Sequence, residues 1–183
     1  MERFAVIDTE TNWSDQIMSI GVVIADGNSL CALDSRYYMI PTACAKGGMY
    51  YDALLLRTPV QPIRCTRTEA MRDLRSWFKQ HGVTAIFAYN AAFDRNHLRE
   101  LQKFQWFDIM RLAAYRQHNP KIPATAECCS TGRLKRGYSV ESILRMLSGN
   151  TRYQETHNAY FDALDELKIM TLLGHKPEAY PPL

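Results

Sequence analysis

A chain of 183 residues, 46% hydrophobic and 22% charged, can bury one full core, and this composition excludes a disordered, fibrous or low-complexity protein. The formal net charge of +3 excludes a strongly acidic scaffold, and no apolar run approaches the ~18–20 residues of a membrane span. The five cysteines (Cys31, Cys44, Cys65, Cys128, Cys129) are an odd number without C-x-x-C spacing, so free thiols are expected rather than a disulfide framework or a zinc site.

The opening stretch, MERFAVIDTE, lacks the basic region, apolar stretch and cleavage site of a secretory leader, and a cytoplasmic setting is expected. Phe4 to Ile7 is a short apolar run, the mark of a strand covered on both faces, and it ends in Asp8-Thr9-Glu10. Ile17 to Ala25 is a second apolar run, closed by the turn signal Asp26-Gly27-Asn28, and LCALDSRYYMI follows as a third strand. Strands joined this closely pair antiparallel, because a parallel connection needs a crossover. Pro41 to Pro62, with Gly47, Gly48 and Pro59, reads as an irregular connector with a helical turn at Tyr50 to Leu56.

Thr66 and Glu69 have capping-box spacing and predict a helix with Ala70, Met71, Leu74, Trp77 and Phe78 on one face, ended at His81-Gly82. Val83 to Tyr89 predicts a fourth, buried strand parallel to the first. FDRNHLRELQKF predicts a helix, QWFDIM a short fifth strand and RLAAYRQ another helix. Ser139 caps a helix with apolar Val140, Ile143, Leu144 and Leu147, closed by Gly149. A last helix runs from about Ala159 to Leu173, and proline-rich HKPEAYPPL closes the chain. The expected architecture is α/β: one domain over residues 1–175, a tail at 176–183, and a mixed five-stranded sheet flanked by helices, with three antiparallel strands and then parallel ones.

Residues two apart on a strand point to one face, so Asp8 and Glu10 project together, about 7 Å apart along the backbone. Asp94 stands just after the fourth strand in AYNAAFD, and Asp162 lies in HNAYFDALDEL, with His157 five positions before it. Any one of these has an ordinary explanation as a helix-start acid, a solvated acid or a surface histidine. Their order and context join them: a strand-end pair, a strand-to-helix acid, then histidine and acid at the last helix. Carboxylates gathered within a few ångströms repel and take up protons unless cations hold them. Oxygen ligands suit Mg²⁺ or Mn²⁺, and two such ions about 3.5–4 Å apart clamp a phosphodiester for in-line cleavage. A nearby imidazole can take the proton from the attacking water.

These segments resemble the DEDDh 3′–5′ exonuclease family: IDTET its first motif, AYNAAFD its second, and HNAYFDALDEL its third. FDIMRLA and SVESILRML are similar to the segments between the second and third motifs, so the resemblance runs from Phe4 to about Leu173. It implies an RNase H-like fold and hydrolysis at the 3′ ends of single-stranded or frayed DNA or RNA, releasing nucleoside monophosphates. It also implies that Asp8, Glu10, Asp94 and Asp162 hold two divalent cations, Mg²⁺ or Mn²⁺, with Asp8 bridging both and Asp94 acting partly through water. His157 would be the general base. Proofreading members make a polymerase partner an option, and the residues specify no oligomeric state.

The first motif departs from the family's usual Thr-Gly-apolar continuation, because Asn12-Trp13 follow Thr11, and Tyr89 stands where many members carry histidine. These departures bear on substrate choice more than on the acids. Thr9, Thr11, Trp13 and Asn90 are the candidate substrate-side residues. Trp13 reads either as a core anchor or as a stacking platform for the last base, and Asn90 either as a sugar contact or as a strand-end backbone partner. Asp165 lies one turn from Asp162 and could support the site, but Asp165 and Glu166 read more simply as a solvated helix face. Two alternatives accompany the exonuclease: a nuclease for very short fragments, restricted by Trp13 and the connector, and a non-catalytic module that holds 3′ ends or a partner.

Overall fold

The computed structural model describes residues 1–183, and its strands are β1 (Arg3–Thr11), β2 (Ile17–Asp26), β3 (Ala32–Met39), β4 (Ile63–Arg64), β5 (Ala85–Ala88) and β6 (Gln105–Asp108). They form one sheet in the order β4-β3-β2-β1-β5-β6. β1 pairs antiparallel with β2, and β2 with β3, whereas the β1–β5, β5–β6 and β3–β4 pairs are parallel. The sheet thus has six strands where five were expected. The addition is β4, whose two exposed residues pair with Tyr38 and Met39. A pair so short has no hydrophobic period of its own.

The helices are α1 (Pro41–Cys44), α2 (Arg67–His81), α3 (Ala92–His97), α4 (Met110–Ala113), α5 (Val140–Ser148) and α6 (Ala159–Leu173). Strand alternation sorts β1 into two cores. Ala5 and Ile7 pack on one face with Leu74, Trp77 and Phe78 of α2, while Phe4 and Val6 pack on the other with Ile143 of α5 and Leu167 of α6. Thr66 and Glu69 close the expected capping box on α2, and Gly82 ends it at φ 67°. The helix expected after Asp94 breaks at Leu98, which turns inward, and continues only as a 3-10 turn at Arg99–Leu101.

The closing segment packs against the body: Tyr180 is buried against Phe87, and the Leu183 N–H donates to the Trp106 carbonyl at 2.9 Å. All five cysteines are free, and no helix is long and apolar enough to cross a membrane.

One glycine positions the site. Gly21 on β2 is the register partner of Asp8, and a Cβ there would lie 1.9 Å from the Ala159 carbonyl oxygen and 2.4 Å from the Tyr160 nitrogen. The missing side chain lets the first turn of α6 settle directly on the sheet beside Asp8.

Candidate active site

Because β1 and β5 are parallel neighbours, their C-terminal ends share one sheet edge, where Asp8 and Glu10 at the end of β1 meet Asp94 just after β5. Asp94, in the first turn of α3, is 2% exposed and accepts a hydrogen bond from Thr9 Oγ1 at 2.7 Å. Thr9 therefore binds a neighbouring acid. Asp162 comes from the first turn of α6, is 3% exposed and accepts from Thr156 Oγ1 at 3.3 Å. Single ligand atoms of Glu10, His157 and Asp162 all lie within 4.8 Å of one another. Asp8 is half-buried, and its Oδ2 is buried without a hydrogen-bond partner.

The electrostatics follow from this packing. Burial, followed by the charges of Asp94, Glu166, Asp162 and Glu10, pushes the Asp8 carboxyl well above the usual carboxylate range. Burial, then Glu155 and Asp94, raises Glu10 to about 8. Burial is also the largest cause in raising Asp162 to about 8 and Asp94 to about 7, the latter against the opposing Thr9 hydrogen bond. His157 moves the other way, because its partial burial disfavours the charged imidazole.

Several residues that hold this arrangement in place were not singled out from the sequence. Asn158 is fully buried: its Oδ1 caps α6 at the Tyr160 N–H, and its Nδ2 donates to the Tyr37 hydroxyl at 3.2 Å and to the Ala53 carbonyl at 2.8 Å. It ties the start of α6 to β3 and to the connector, and its place before an apolar helix was a readable N-cap signal. His157, at φ 53°, is stacked on Tyr50 with ring centroids 3.9 Å apart and planes 13° apart. Glu166 follows Asp162 by one helical turn, so spacing could have placed both on one face. The expected solvated face is not what forms: Glu166 is 1% exposed, and half-buried Asp165 accepts the Tyr153 hydroxyl.

The substrate-side candidates separate. Asn12 is buried and builds the β1–β2 turn, accepting from the Ser14 and Gln16 N–H groups at 2.9 and 3.0 Å and donating to the Ala43 carbonyl at 3.0 Å. That turn lifts Trp13 out of the core, leaving it 70% exposed. Trp13, Thr11, Met49, Tyr50 and Phe93 line a cleft of about 290 Å³ whose floor includes Thr9 and Glu10. Asn90 is exposed at φ 59°, and its backbone N–H donates to Asp108 Oδ1 at 3.0 Å. It lines a different cleft, of about 370 Å³, with Tyr89, Met110, Arg133, Tyr138 and Ser139.

The carboxylates of Asp8, Glu10, Asp94 and Asp162 are oxygen donors, and the bare buried Oδ2 of Asp8 fits a hard divalent cation, which would complete it.

No family model and no curated protein matches the chain. Solved structures do. The nuclease domain of 3′hExo, a DEDDh family member bound to rAMP, superposes with TM-score 0.67 at 12% identity, covering 100% of this chain and 96% of that one. A 3′-exonuclease recognising the histone mRNA stem-loop gives TM-score 0.64 at 11% identity, covering 100% and 90%. E. coli exonuclease I with a dA16 oligonucleotide gives 0.63 at 13% identity; the match covers 97% of this chain and 42% of the larger enzyme. The fold is that of the DEDDh 3′ exonucleases.

Proposed function

We propose that this chain is a metal-dependent 3′–5′ exonuclease that hydrolyses the last phosphodiester of single-stranded or frayed DNA or RNA and releases nucleoside monophosphates. The observation that carries this is the convergence of Asp8, Glu10, Asp94 and Asp162, from the end of β1 and the first turns of α3 and α6, with His157 beside Glu10 and Asp162. The four acids would hold two ions, Mg²⁺ or Mn²⁺, which when bound neutralise the carboxylates and polarise the phosphodiester and the attacking water. His157, kept neutral by partial burial, takes the proton from that water.

The cleft under Trp13, Met49 and Phe93 suits the terminal nucleoside, with Trp13 as stacking platform and Thr11 on the sugar side. The preceding nucleotides would run past Asn90 toward Arg133 and Tyr138, where a guanidinium already lies over a ring at 5.3 Å. The solved structures of similar fold hold rAMP and a dA16 oligonucleotide, which supports a 3′-end substrate without selecting the sugar. A second reading, a nuclease for very short fragments, draws on the connector, which brings Met49 and Tyr50 over the cleft. Rates across a ladder of oligonucleotide lengths separate the two. Free thiols support a reducing, cytoplasmic setting, and residues 1–175 would act as one domain.

The test is substitution of the acids. Asp8→Ala and Asp162→Ala should abolish metal-dependent hydrolysis with circular dichroism unchanged, and near-normal turnover in either would sink the assignment. His157→Ala should slow hydrolysis by ~10²-fold or more with less effect on metal binding. Retained 3′-end binding without turnover in the unsubstituted protein would instead identify a binding module.

A further inference from the structure

Glu166 is the buried acid left over by the four-carboxylate arrangement. Three observations bear on it. It lies one turn past Asp162 on α6, on the face that Gly21 allows to sit against the sheet beside Asp8. Its Oε2 is buried without a hydrogen-bond partner, as is Asp8 Oδ2, and its charge helps push the Asp8 carboxyl up. None of the six ion pairs in the molecule includes Glu166 or Asp8.

A buried acid with one oxygen bare needs a proton or a cation. A group kept only for packing would be satisfied more simply by leucine or glutamine on this face. Instead a carboxylate is buried here with one oxygen bare and no basic side chain paired to it.

We propose that Glu166 is a fifth carboxylate of the metal centre, a positioning acid that adds its charge to the cation site at Asp8 and raises its affinity for divalent ions. This rests on the metal-binding reading of the site. Outer carboxylates of metal centres are worth ~10–100-fold in metal affinity, and affinity for hard cations follows the charge gathered around them.

The test is Mn²⁺ binding to the whole chain without nucleic acid, by calorimetry and by the electron paramagnetic resonance signal of free Mn²⁺. Glu166→Gln, nearly isosteric, should weaken Mn²⁺ binding by ~10-fold or more. Glu166→Asp, which keeps the charge, should stay within a few-fold of the original. Without metal, Glu166→Gln should melt at or above the temperature of the unsubstituted protein, since an amide at this buried position needs neither a proton nor a cation. Equal Mn²⁺ affinity in the Gln variant would make Glu166 an uncharged structural group and overturn the proposal while leaving the four-acid site standing. If the unsubstituted protein bound no Mn²⁺ at all, the metal reading itself would fall, and this proposal with it.

Discussion

Gly21→Ala adds one methyl to a residue with no functional group of its own, on the strand beside Asp8, yet the geometry predicts that it damages the site. The new Cβ would stand 1.9 Å from the Ala159 carbonyl oxygen, 2.1 Å from its carbon and 2.4 Å from the Tyr160 nitrogen. All three are backbone atoms, so no side chain can swing aside. Ordinary contact would be restored only by moving the first turn of α6 by roughly 1.5 Å relative to β2. Asp162 rides on that turn, and Asn158 locks it to Tyr37 and Ala53, so the shift reaches the acid cluster.

Two magnitudes follow. Overpacking of this kind costs about 1–3 kcal/mol, which for a chain of this size is ~2–12 °C in melting temperature. A displacement on the order of 1 Å in a reacting constellation costs ~10²-fold in rate. Thermal unfolding by circular dichroism and steady-state cleavage of a labelled oligonucleotide check both. Gly21→Ala with unchanged melting temperature and unchanged kcat/KM would refute the idea that close approach of α6 to β2 builds the site.

Other perturbations have equally definite outcomes. Folded values of about 7 for Asp94 and about 8 for Glu10 and Asp162 lie above the ordinary ~4 of unfolded carboxylates, so the metal-free native state holds extra protons between those limits. Metal-free stability should therefore fall as pH rises from ~4 to ~8, with a shallower fall in Asp162→Asn and recovery at pH 8 on adding Mn²⁺. Melting curves in EDTA that stay flat across that window, or rise, would contradict the burial of ionisable acids. Tyr50→Phe should keep kcat, whereas Tyr50→Ala should lose ~10-fold of what the general base supplies and shift the His157 ring resonances in NMR spectra as the stack is lost. Equal kcat in both variants removes Tyr50 from any positioning role. Asn12→Ala should cost about 1–3 kcal/mol in denaturant unfolding, since it strands two turn N–H groups, while Trp13→Ala should change stability by under about 0.5 kcal/mol but raise KM. The opposite pattern would reverse the roles assigned to these two neighbours.

The parts legible in the sequence were those written in local patterns. The capping box at Thr66 and Glu69, the caps at Ser139 and Gly149, and the bounds of α6 all appear where periodicity and cap chemistry placed them. Asp8 and Glu10 share a face because strand period alone dictates it, and Asp94 meets them because a buried run after a helix implied a parallel neighbour. What stayed hidden was non-local. Two residues of β4 carry no pattern, and pairing with β3 is created by the return of the connector. Tyr50 reaches His157 through the same connector, whose path no spacing encodes. Asn12 and Trp13 looked alike as departures from the family motif, and only the turn geometry divides them into a buried organiser and an exposed platform. Glu166 was hidden differently: its spacing from Asp162 was visible, but its burial comes from the packing of α6 on the sheet, at the start of which Gly21 meets Ala159 and Tyr160.

The most direct test of the central claim is cleavage of matched DNA and RNA oligonucleotides labelled at the 5′ end, incubated with Mn²⁺ or with EDTA. The prediction is a ladder of labelled products shortening one nucleotide at a time from the 3′ end with Mn²⁺, and intact substrate in EDTA or with Asp8→Ala. Release of the 5′ label first, or equal cleavage in EDTA, or no cleavage of either oligonucleotide with Mn²⁺, would contradict it.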